Sequence, residues 1–155
     1  EAEASYIVAI SLKTDFAEAH NNLGNTLKEQ GKLNKAEASY RKAVTLKTDF
    51  AEAYYNLAST LQELGNLEGA EINYRKAIKL KNNFAQAYNN LGATLQELGV
   101  LKEAELNYKK AISLKTGYEE AYNNLGAILL DLGETEKAED RRDASSAARC
   151  AQHEC

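Results

Sequence analysis

The 155-residue sequence predicts an all-α solenoid of antiparallel helix pairs, and three observations carry the prediction. The chain repeats itself with a period of 34 residues, apolar residues within each repeat recur three and four positions apart, and one glycine recurs at a fixed place in each repeat. A period of this length is typical of stacked two-helix units, which bury a continuous core only by packing on their neighbours. The clearest column of identical residues is Tyr6, Tyr40, Tyr74 and Tyr108.

Two amphipathic helices are predicted in each repeat. In the first complete repeat the apolar residues are spaced so that each helix has one apolar face, and they are Ala19, Leu23 and Leu27, followed by Ala36, Tyr40 and Ala43. The same spacing in the other repeats predicts a second helix over about 1–13, three full pairs over about 17–47, 51–81 and 85–115, and a fourth pair that begins at 119 and loses its pattern after 138.

The ends of the helices are predicted by short polar residues and by glycine. An Asp or Asn oxygen can accept a hydrogen bond from a free amide in the first turn of a helix, which makes Asp15, Asp49 and Asn83 candidate N-terminal caps. The first helix of each pair is expected to stop where glycine adopts the left-handed conformation at low cost, and the glycines at this place are Gly31, Gly65, Gly99 and Gly133.

A motif in each first helix resembles a known family. It reads Ala-His-Asn-Asn-Leu-Gly over residues 19–24, and its counterparts begin at Ala53, Ala87 and Ala121. Together with the later glycine, alanine and tyrosine columns, this motif resembles the tetratricopeptide repeat. The resemblance covers residues 1–140 and implies a right-handed superhelical solenoid. It also implies small residues where the paired helices come close, which are Gly24, Ala58, Gly92 and Gly126.

The last residues depart from the repeat. Arg142 and Ser145 stand where the tyrosine and alanine columns would continue. The sequence therefore predicts a repeat domain over residues 1–140 and an irregular or non-native C-terminal tail over 141–155.

A polar stripe on the first helices is the candidate partner-binding surface. Its residues are spaced four, three and four apart and so lie on one side of the helix, away from the apolar face. In the first complete repeat they are Glu18, Asn22, Asn25 and Glu29, and Glu52 continues the stripe in the next repeat. Two columns with a period of 34 run side by side here, namely Asn22, Asn56, Asn90, Asn124 and Asn21, Tyr55, Asn89, Asn123.

The column Asn22, Asn56, Asn90 and Asn124 forms an asparagine ladder, which has two open interpretations. An amide both donates and accepts hydrogen bonds, so a ladder of amides can pair with the main chain of an extended peptide while ignoring most of its side chains. The tetratricopeptide stretches of the O-linked N-acetylglucosamine transferases are similar, and this likeness implies a ladder used on substrates. In the other interpretation the asparagines hydrogen-bond neighbouring helices and have a structural role.

The charge of the stripes predicts the charge of the partner. Over the four first helices these stripes carry a single base, Lys28, and seven acids, which are Glu18, Glu29, Glu52, Glu63, Glu97, Glu120 and Asp131. Relatives that clamp the acidic C-terminal carboxylate of chaperones use Lys and Arg on this surface, where the present chain has Asn, Tyr and Glu. We therefore expect a neutral or basic extended peptide, although acids near helix ends also stabilise the helix dipole.

Composition and motifs exclude several other classes of function. A formal net charge of −4 offers no basic surface for nucleic acid, and the five-residue apolar run 6–10 is far shorter than a membrane span. No phosphate-binding loop or nucleophile motif is present, so we expect no catalysis and no cofactor. No metal is expected either, because Cys150, His153 and Cys155 fall short of a closed zinc site. Cysteines confined to the last six residues fit a cytoplasmic protein.

The sequence thus predicts a protein-binding scaffold that holds an extended peptide in its concave groove. Two alternatives stay open. The chain could be the substrate-recognition arm of a larger enzyme such as a glycosyltransferase, or a homo-oligomer that assembles through uncapped solenoid ends.

Overall fold

The computed structural model describes the backbone of residues 16–153 and the side chains of residues 16–137. It contains helices and turns and no strand in that range, as the sequence predicts. The helices are α1 (Ala17–Glu29), α2 (Leu33–Leu46), α3 (Ala51–Glu63), α4 (Leu67–Leu80), α5 (Ala85–Glu97), α6 (Leu101–Leu114) and α7 (Glu119–His153). The predicted helix over 1–13 and the cap at Asp15 lie outside the described residues.

Consecutive helices pack as pairs, and the pairs stack. The closest packing is within α1 and α2, α3 and α4, and α5 and α6, whose short connections require antiparallel neighbours. Each second helix also packs on the first helix of the next pair, and successive first helices contact one another. The predicted all-α solenoid is therefore confirmed.

The core of each pair is a tyrosine of the second helix packed on a small residue of the first. Tyr40, Tyr74 and Tyr108 are at most 1% exposed. A Cβ built on Gly24 would lie 2.5 Å from Cε1 of Tyr40, and one built on Gly92 would lie 2.7 Å from Cε1 of Tyr108. The predicted close approach of the paired helices is thus confirmed at both glycines.

The ends of the first helices follow the prediction at three glycines. Gly31, Gly65 and Gly99 have φ between 71° and 79°, in the left-handed region. The amide following each glycine donates back to a carbonyl in the last turn of the helix, as in the 2.9 Å bond from Asn66 N to Leu61 O.

The predicted caps at the N-termini are wrong. The cap residues are Phe50 and Phe84 rather than Asp49 and Asn83, and no side-chain hydrogen bond caps α3 or α5. At α5 the aromatic ring explains the difference, because burial of the Phe84 ring fixes the residue that precedes the helix. Phe84 is 9% exposed and belongs to an apolar cluster with buried alanines.

The fourth pair also differs from the prediction, since α7 runs through Gly133 without a turn and has no antiparallel partner within the described residues. As a result Gly126 is not a site of close approach, and a Cβ built on it meets nothing within 4 Å. The residues after Gly133 include good helix formers and no proline, while Arg142 replaces the core tyrosine, so little favours a turn back. The backbone of residues 141–153 is helical, in contrast to the irregular tail expected there.

Candidate partner-binding groove

The first helices form a continuous wall that carries the predicted stripe. α1, α3, α5 and α7 contact one another in succession. Polar side chains on this wall bond across the pairs with sequence separations of 31 or 35 residues. Gln62 Nε2 donates to Glu97 Oε1 at 2.9 Å, and Gln96 Nε2 donates to Asp131 Oδ2 at 3.2 Å. The candidate groove is thus lined by side chains that also hold the pairs together.

The asparagine ladder uses its amide donors between neighbouring pairs. Asn56 Nδ2 donates to Asn21 Oδ1 at 3.0 Å, and Asn124 Nδ2 makes the same bond to Asn89 Oδ1 at 3.1 Å. Asn90 Nδ2 instead donates 3.1 Å to the hydroxyl of Tyr55, the residue in that column of the preceding repeat.

The acceptors of the ladder are less occupied than its donors. Oδ1 of Asn56 and Oδ1 of Asn124 accept no hydrogen bond within the described part of the chain. Asn22, Asn56, Asn90 and Asn124 are all half-buried. The ladder therefore contributes contacts between repeats and also presents oxygen atoms to the groove.

The neighbouring column lies deeper than the ladder. Asn21 is 5% exposed and Asn89 is 1% exposed, whereas Asn123 is exposed. Asn89 Nδ2 donates to Glu120 Oε1 at 2.9 Å in the next pair. Asn21 and Asn89 are therefore buried residues that stabilise the contact between pairs, whereas Asn123 is accessible to a partner.

Tyr55 is half-buried in this column. Its ring centroid lies 4.8 Å from that of Phe84 and 5.8 Å from that of Tyr74. The pKa of Tyr55 is raised above its ordinary value, because the effect of burial outweighs the hydrogen bond from Asn90, which lowers the pKa.

The remaining predicted site residues have different environments. Asn25 Oδ1 accepts from the Tyr40 hydroxyl at 2.8 Å and from Asn56 Nδ2 at 3.2 Å. Glu18 forms a 2.8 Å ion pair with Lys47 at the end of α2, and the hydrogen bond from this lysine lowers the pKa of the carboxyl. Glu52 is exposed.

A pocket of about 340 Å³ opens on the groove between the first two pairs. Its lining residues are Asn25, Lys28, Glu29, Tyr40, Asn56 and Glu63. Lys28 Nζ lies 2.7 Å from Glu63 Oε1 and 2.8 Å from Ser59 Oγ. The basic side chain in this pocket therefore already has partners within the protein. The lining therefore contains two carboxylates, Glu29 and Glu63, against one lysine that is already paired.

The tyrosines of the second helices extend to this wall, which the sequence did not indicate. The column was identified as core, but Tyr74 Oη donates to Gln62 Oε1 at 3.2 Å and Tyr108 Oη donates to Gln96 Oε1 at 2.9 Å. Burial raises the pKa of Tyr108 to about 12. The sequence did contain a signal for these bonds, namely a column of long polar side chains 34 residues apart, which are Lys28, Gln62 and Gln96.

No group of three His, Cys, Asp or Glu residues among the described side chains is placed to hold a metal ion. Nor does a helix in this part of the chain combine the length and apolar character needed to cross a membrane.

Comparison with known protein families finds tetratricopeptide repeats along most of the chain. A model described as "TPR repeat" matches residues 24–65 and 59–99, and models described as "Tetratricopeptide repeat" match residues 84–116 and 119–140. A search of the curated proteins found no match. The family models do not distinguish repeats like those of O-linked N-acetylglucosamine transferases, so that likeness stays a prediction.

Many solved structures are similar to the chain. A crystal structure of MamA has a TM-score of 0.81 and 30% identity over 89% of this chain and 81% of that chain. The first TPR of Spaghetti (RPAP3) bound to the HSP90 peptide SRMEEVD has a TM-score of 0.74 and 28% identity, covering 76% of this chain and 93% of that one. The second TPR domain of human RPAP3 in complex with the HSP70 peptide SGPTIEEVD has a TM-score of 0.70 and 25% identity, covering 72% and 93%.

The matched residues contain the glycine columns that end the first helices and the tyrosine columns that fill each pair. The solved structures reproduce the stacking of these pairs over most of the described residues. From its repeats and its fold, the chain belongs to the tetratricopeptide repeat family.

Proposed function

We propose that the chain is a protein-interaction module that binds an extended, neutral or basic segment of a partner in the groove along its first helices. The observation that carries this proposal is the pocket of about 340 Å³ between the first two pairs, whose lining includes the carboxylates of Glu29 and Glu63. The RPAP3 domains that resemble this chain were solved with bound peptides, which supports a protein partner for this chain as well.

The partner's backbone would be recognised by the groove acceptors. The N–H groups of Asn56 and Asn124 donate within the solenoid, and their Oδ1 atoms point to a role as acceptors for main-chain amides of the partner. Recognition through the main chain tolerates varied side chains, so we expect low sequence selectivity.

The charge of the groove favours a partner different from the RPAP3 peptides. Those peptides end in the acidic sequence Glu-Glu-Val-Asp. In the present chain Glu29 and Glu63 line the pocket, and Lys28 is held by Glu63. A basic side chain of the partner would find carboxylates here, whereas an acidic one would be repelled.

The test is a binding titration with three fluorescent peptides of equal length that carry basic, neutral or acidic side chains. The wild-type chain is compared with Glu29→Lys in the pocket and with Glu68→Lys, which changes an exposed acid in the first turn of α4. Glu29 is the last residue of α1, where a cation offsets the helix dipole, so the pocket variant is expected to keep its fold.

We expect fluorescence anisotropy to show the tightest binding for the basic peptide. Glu29→Lys should weaken this binding by about tenfold, equivalent to about 1.4 kcal/mol, while Glu68→Lys leaves it unchanged. Equal loss in both variants would mean that net charge rather than the groove attracts the peptide. Preference for the acidic peptide would overturn the proposed partner chemistry.

Affinity capture from a cell lysate then identifies the partner. The wild-type chain, Glu29→Lys and Glu68→Lys are used as bait, and proteins retained by the wild type and the control but lost with Glu29→Lys are the groove ligands. Identical capture by all three baits would contradict binding at this pocket.

A further inference from the structure

We propose that two chains of this sequence associate end to end, with residues 1–13 of one chain packing on the open face of α7 of the other. The open face consists of Tyr122, Gly126 and Leu129. It lies outside the pocket at Glu29 and Glu63, so the proposal is independent of groove binding and can fail or hold separately.

In the complete pairs, the corresponding face of the first helix is covered by the second helix. The residues of the first helices that correspond to Leu129 are buried by the second helix, with Leu27 4%, Leu61 2% and Leu95 1% exposed. The ring of a tyrosine fills the space above the small residue, and it is Tyr108 in the third pair, where it lies on Gly92.

On α7 the same columns are open within the described part of the chain. Leu129 is 48% exposed and Tyr122 is 53% exposed, whereas Ile128 on the other side of the helix is fully buried. The space above Gly126 contains no atom within 4 Å of a Cβ built there. The face therefore has the shape that receives a second helix and exposes the apolar side chains that such a helix would cover.

Two segments of the chain can be compared as occupants of this face. Residues 135–147 belong to α7 itself, and Arg142 and Ser145 stand at the tyrosine and alanine positions that the core requires. Residues 1–13 carry the matching residue in every one of these columns, and these are Ala2, Tyr6, Ala9 and Leu12, in the columns of Ala36, Tyr40, Ala43 and Leu46. Of these two segments, residues 1–13 carry the side chains that the packing of a complete pair requires.

Charge favours the same register. In the described pairs Arg75 bonds Glu71 of its own helix at 2.9 Å and Glu103 of the next second helix at 2.7 Å. Lys109, one repeat later, pairs with Glu105 of its own helix. Glu1 belongs to the column of Glu103, so with residues 1–13 of a second chain docked on α7 it would be placed to pair with Lys109.

The resulting interface is heterologous, because one chain contributes its residues 1–13 and the other contributes α7. In the assembly residues 1–13 would lie between α1 of their own chain and α7 of the neighbour, as α2 lies between α1 and α3. Such an interface extends the solenoid from one chain into the next and allows further chains to add.

Sedimentation equilibrium of the full chain over a dilution series tests the proposal, with a reductant present to prevent crosslinks through Cys150 and Cys155. Gly126→Leu fills the open face without a clash inside the chain, and Tyr6→Arg places at that position the side chain found at position 142. Ile72→Ser is the control, since Ile72 is an apolar side chain on α4 that is 67% exposed and lies away from the interface.

We expect the weight-average mass of the wild type to rise with concentration from 17.1 kDa to more than twice that value, and Ile72→Ser to behave in the same way. Gly126→Leu and Tyr6→Arg should each stay at the mass of one chain, with unchanged helicity by circular dichroism. An equimolar mixture of the two variants should form dimers and nothing larger, because each still has one intact surface.

Three outcomes would overturn the proposal. They are a monomeric wild type at every concentration, an association that Gly126→Leu leaves intact, and an association that Ile72→Ser abolishes. The Glu29→Lys variant should associate as the wild type does, which separates this interface from the groove.

Discussion

His20 differs from its counterparts in the other repeats, and the difference has an energetic consequence. The column otherwise contains tyrosine, and Lys76 lies 5.8 Å from the ring centroid of Tyr54. His20 Nε2 is buried and has no hydrogen-bond partner among the described residues. Burial, and then the nearby charge of Lys42, lower the pKa of the imidazole below 6.5. Protonation of His20 therefore opposes folding.

We predict that acid weakens the fold through His20. The unfolded chain takes up the proton as the pH falls through about 6.5, while the folded chain takes it up only at lower pH, so stability declines between the two pKa values and not above them. His20→Tyr should remove this component and restore the contact between a ring and Lys42. Urea unfolding at pH 7.5 and pH 5.5 measures both proteins, and equal pH dependence of the two would contradict the prediction.

A second prediction at the scale of single residues compares two glycines in one column. Gly92→Leu should destabilise the fold by about 2 kcal/mol or more, because its side chain would displace the packed ring of Tyr108. Gly126→Leu should instead be neutral or stabilise by up to about 1 kcal/mol, because its side chain meets open space and leucine favours helix. Thermal unfolding of dilute protein measures both variants, and similar losses at the two positions would be inconsistent with an open face on α7.

At the scale of elements, the connections between pairs are held by a lysine over an aromatic ring. The lysine that caps the C-terminus of each second helix lies near the aromatic residue that caps the next first helix. The distance from Nζ to the ring centroid is 5.0 Å for Lys47 and Phe50, 4.7 Å for Lys81 and Phe84, and 4.4 Å for Lys115 and Tyr118. Each of these lysines thus has a specific aromatic partner at the connection between two pairs.

We predict that Lys81→Gln lowers the free energy of unfolding by about 0.5–1 kcal/mol, the usual range for an accessible cation and ring. Lys102→Gln is the control, because Lys102 is exposed in the first turn of α6 and should change stability by less than about 0.5 kcal/mol. A double-mutant cycle with Phe84→Leu isolates the pair. No coupling energy between positions 81 and 84 would show that the ring contributes by burial alone.

At the scale of the whole molecule, stability depends on the contacts between neighbouring pairs. In a solenoid each unit contacts only its neighbours, so bonds across the boundaries determine how far unfolding is cooperative. Asn90 Nδ2 lies within 3.1 Å of the Tyr55 hydroxyl and 3.4 Å of the Tyr74 hydroxyl, and it therefore joins the second and third pairs.

Asn90→Ala should accordingly destabilise the fold by about 1–2 kcal/mol, since it removes the amide that donates to the hydroxyl of half-buried Tyr55. Asn123→Ala is the matched control, because Asn123 is exposed, and it should cost less than about 0.5 kcal/mol. Urea unfolding followed by circular dichroism measures both. If Asn90→Ala loses no more stability than Asn123→Ala, the hydrogen bonds of Asn90 do not stabilise the contact between the second and third pairs.

A double variant with alanine at Asn56 and Asn90 would change folding as well as binding, because both amides donate to neighbouring pairs. The sequence allowed two interpretations of these residues, as peptide ligands and as bonds between helices. The period showed that the amides align, but the partner of each depends on the distance between stacked first helices. That distance is set by packing elsewhere in each pair.

By itself the sequence determined the fold class, the bounds of the three full pairs, the glycines that end their first helices and the tyrosines of their cores. It could do so because a solenoid repeats local rules, in which the spacing of apolar residues and a glycine at a turn decide each unit. Only the tertiary structure decided that Phe50 and Phe84 cap their helices, that Asn21 and Asn89 are buried, and that α7 passes through Gly133. Each of these depends on whether a neighbouring helix is present to bury a ring, accept a hydrogen bond or favour a turn. A local sequence pattern does not contain this information, because the neighbouring helix is distant in sequence.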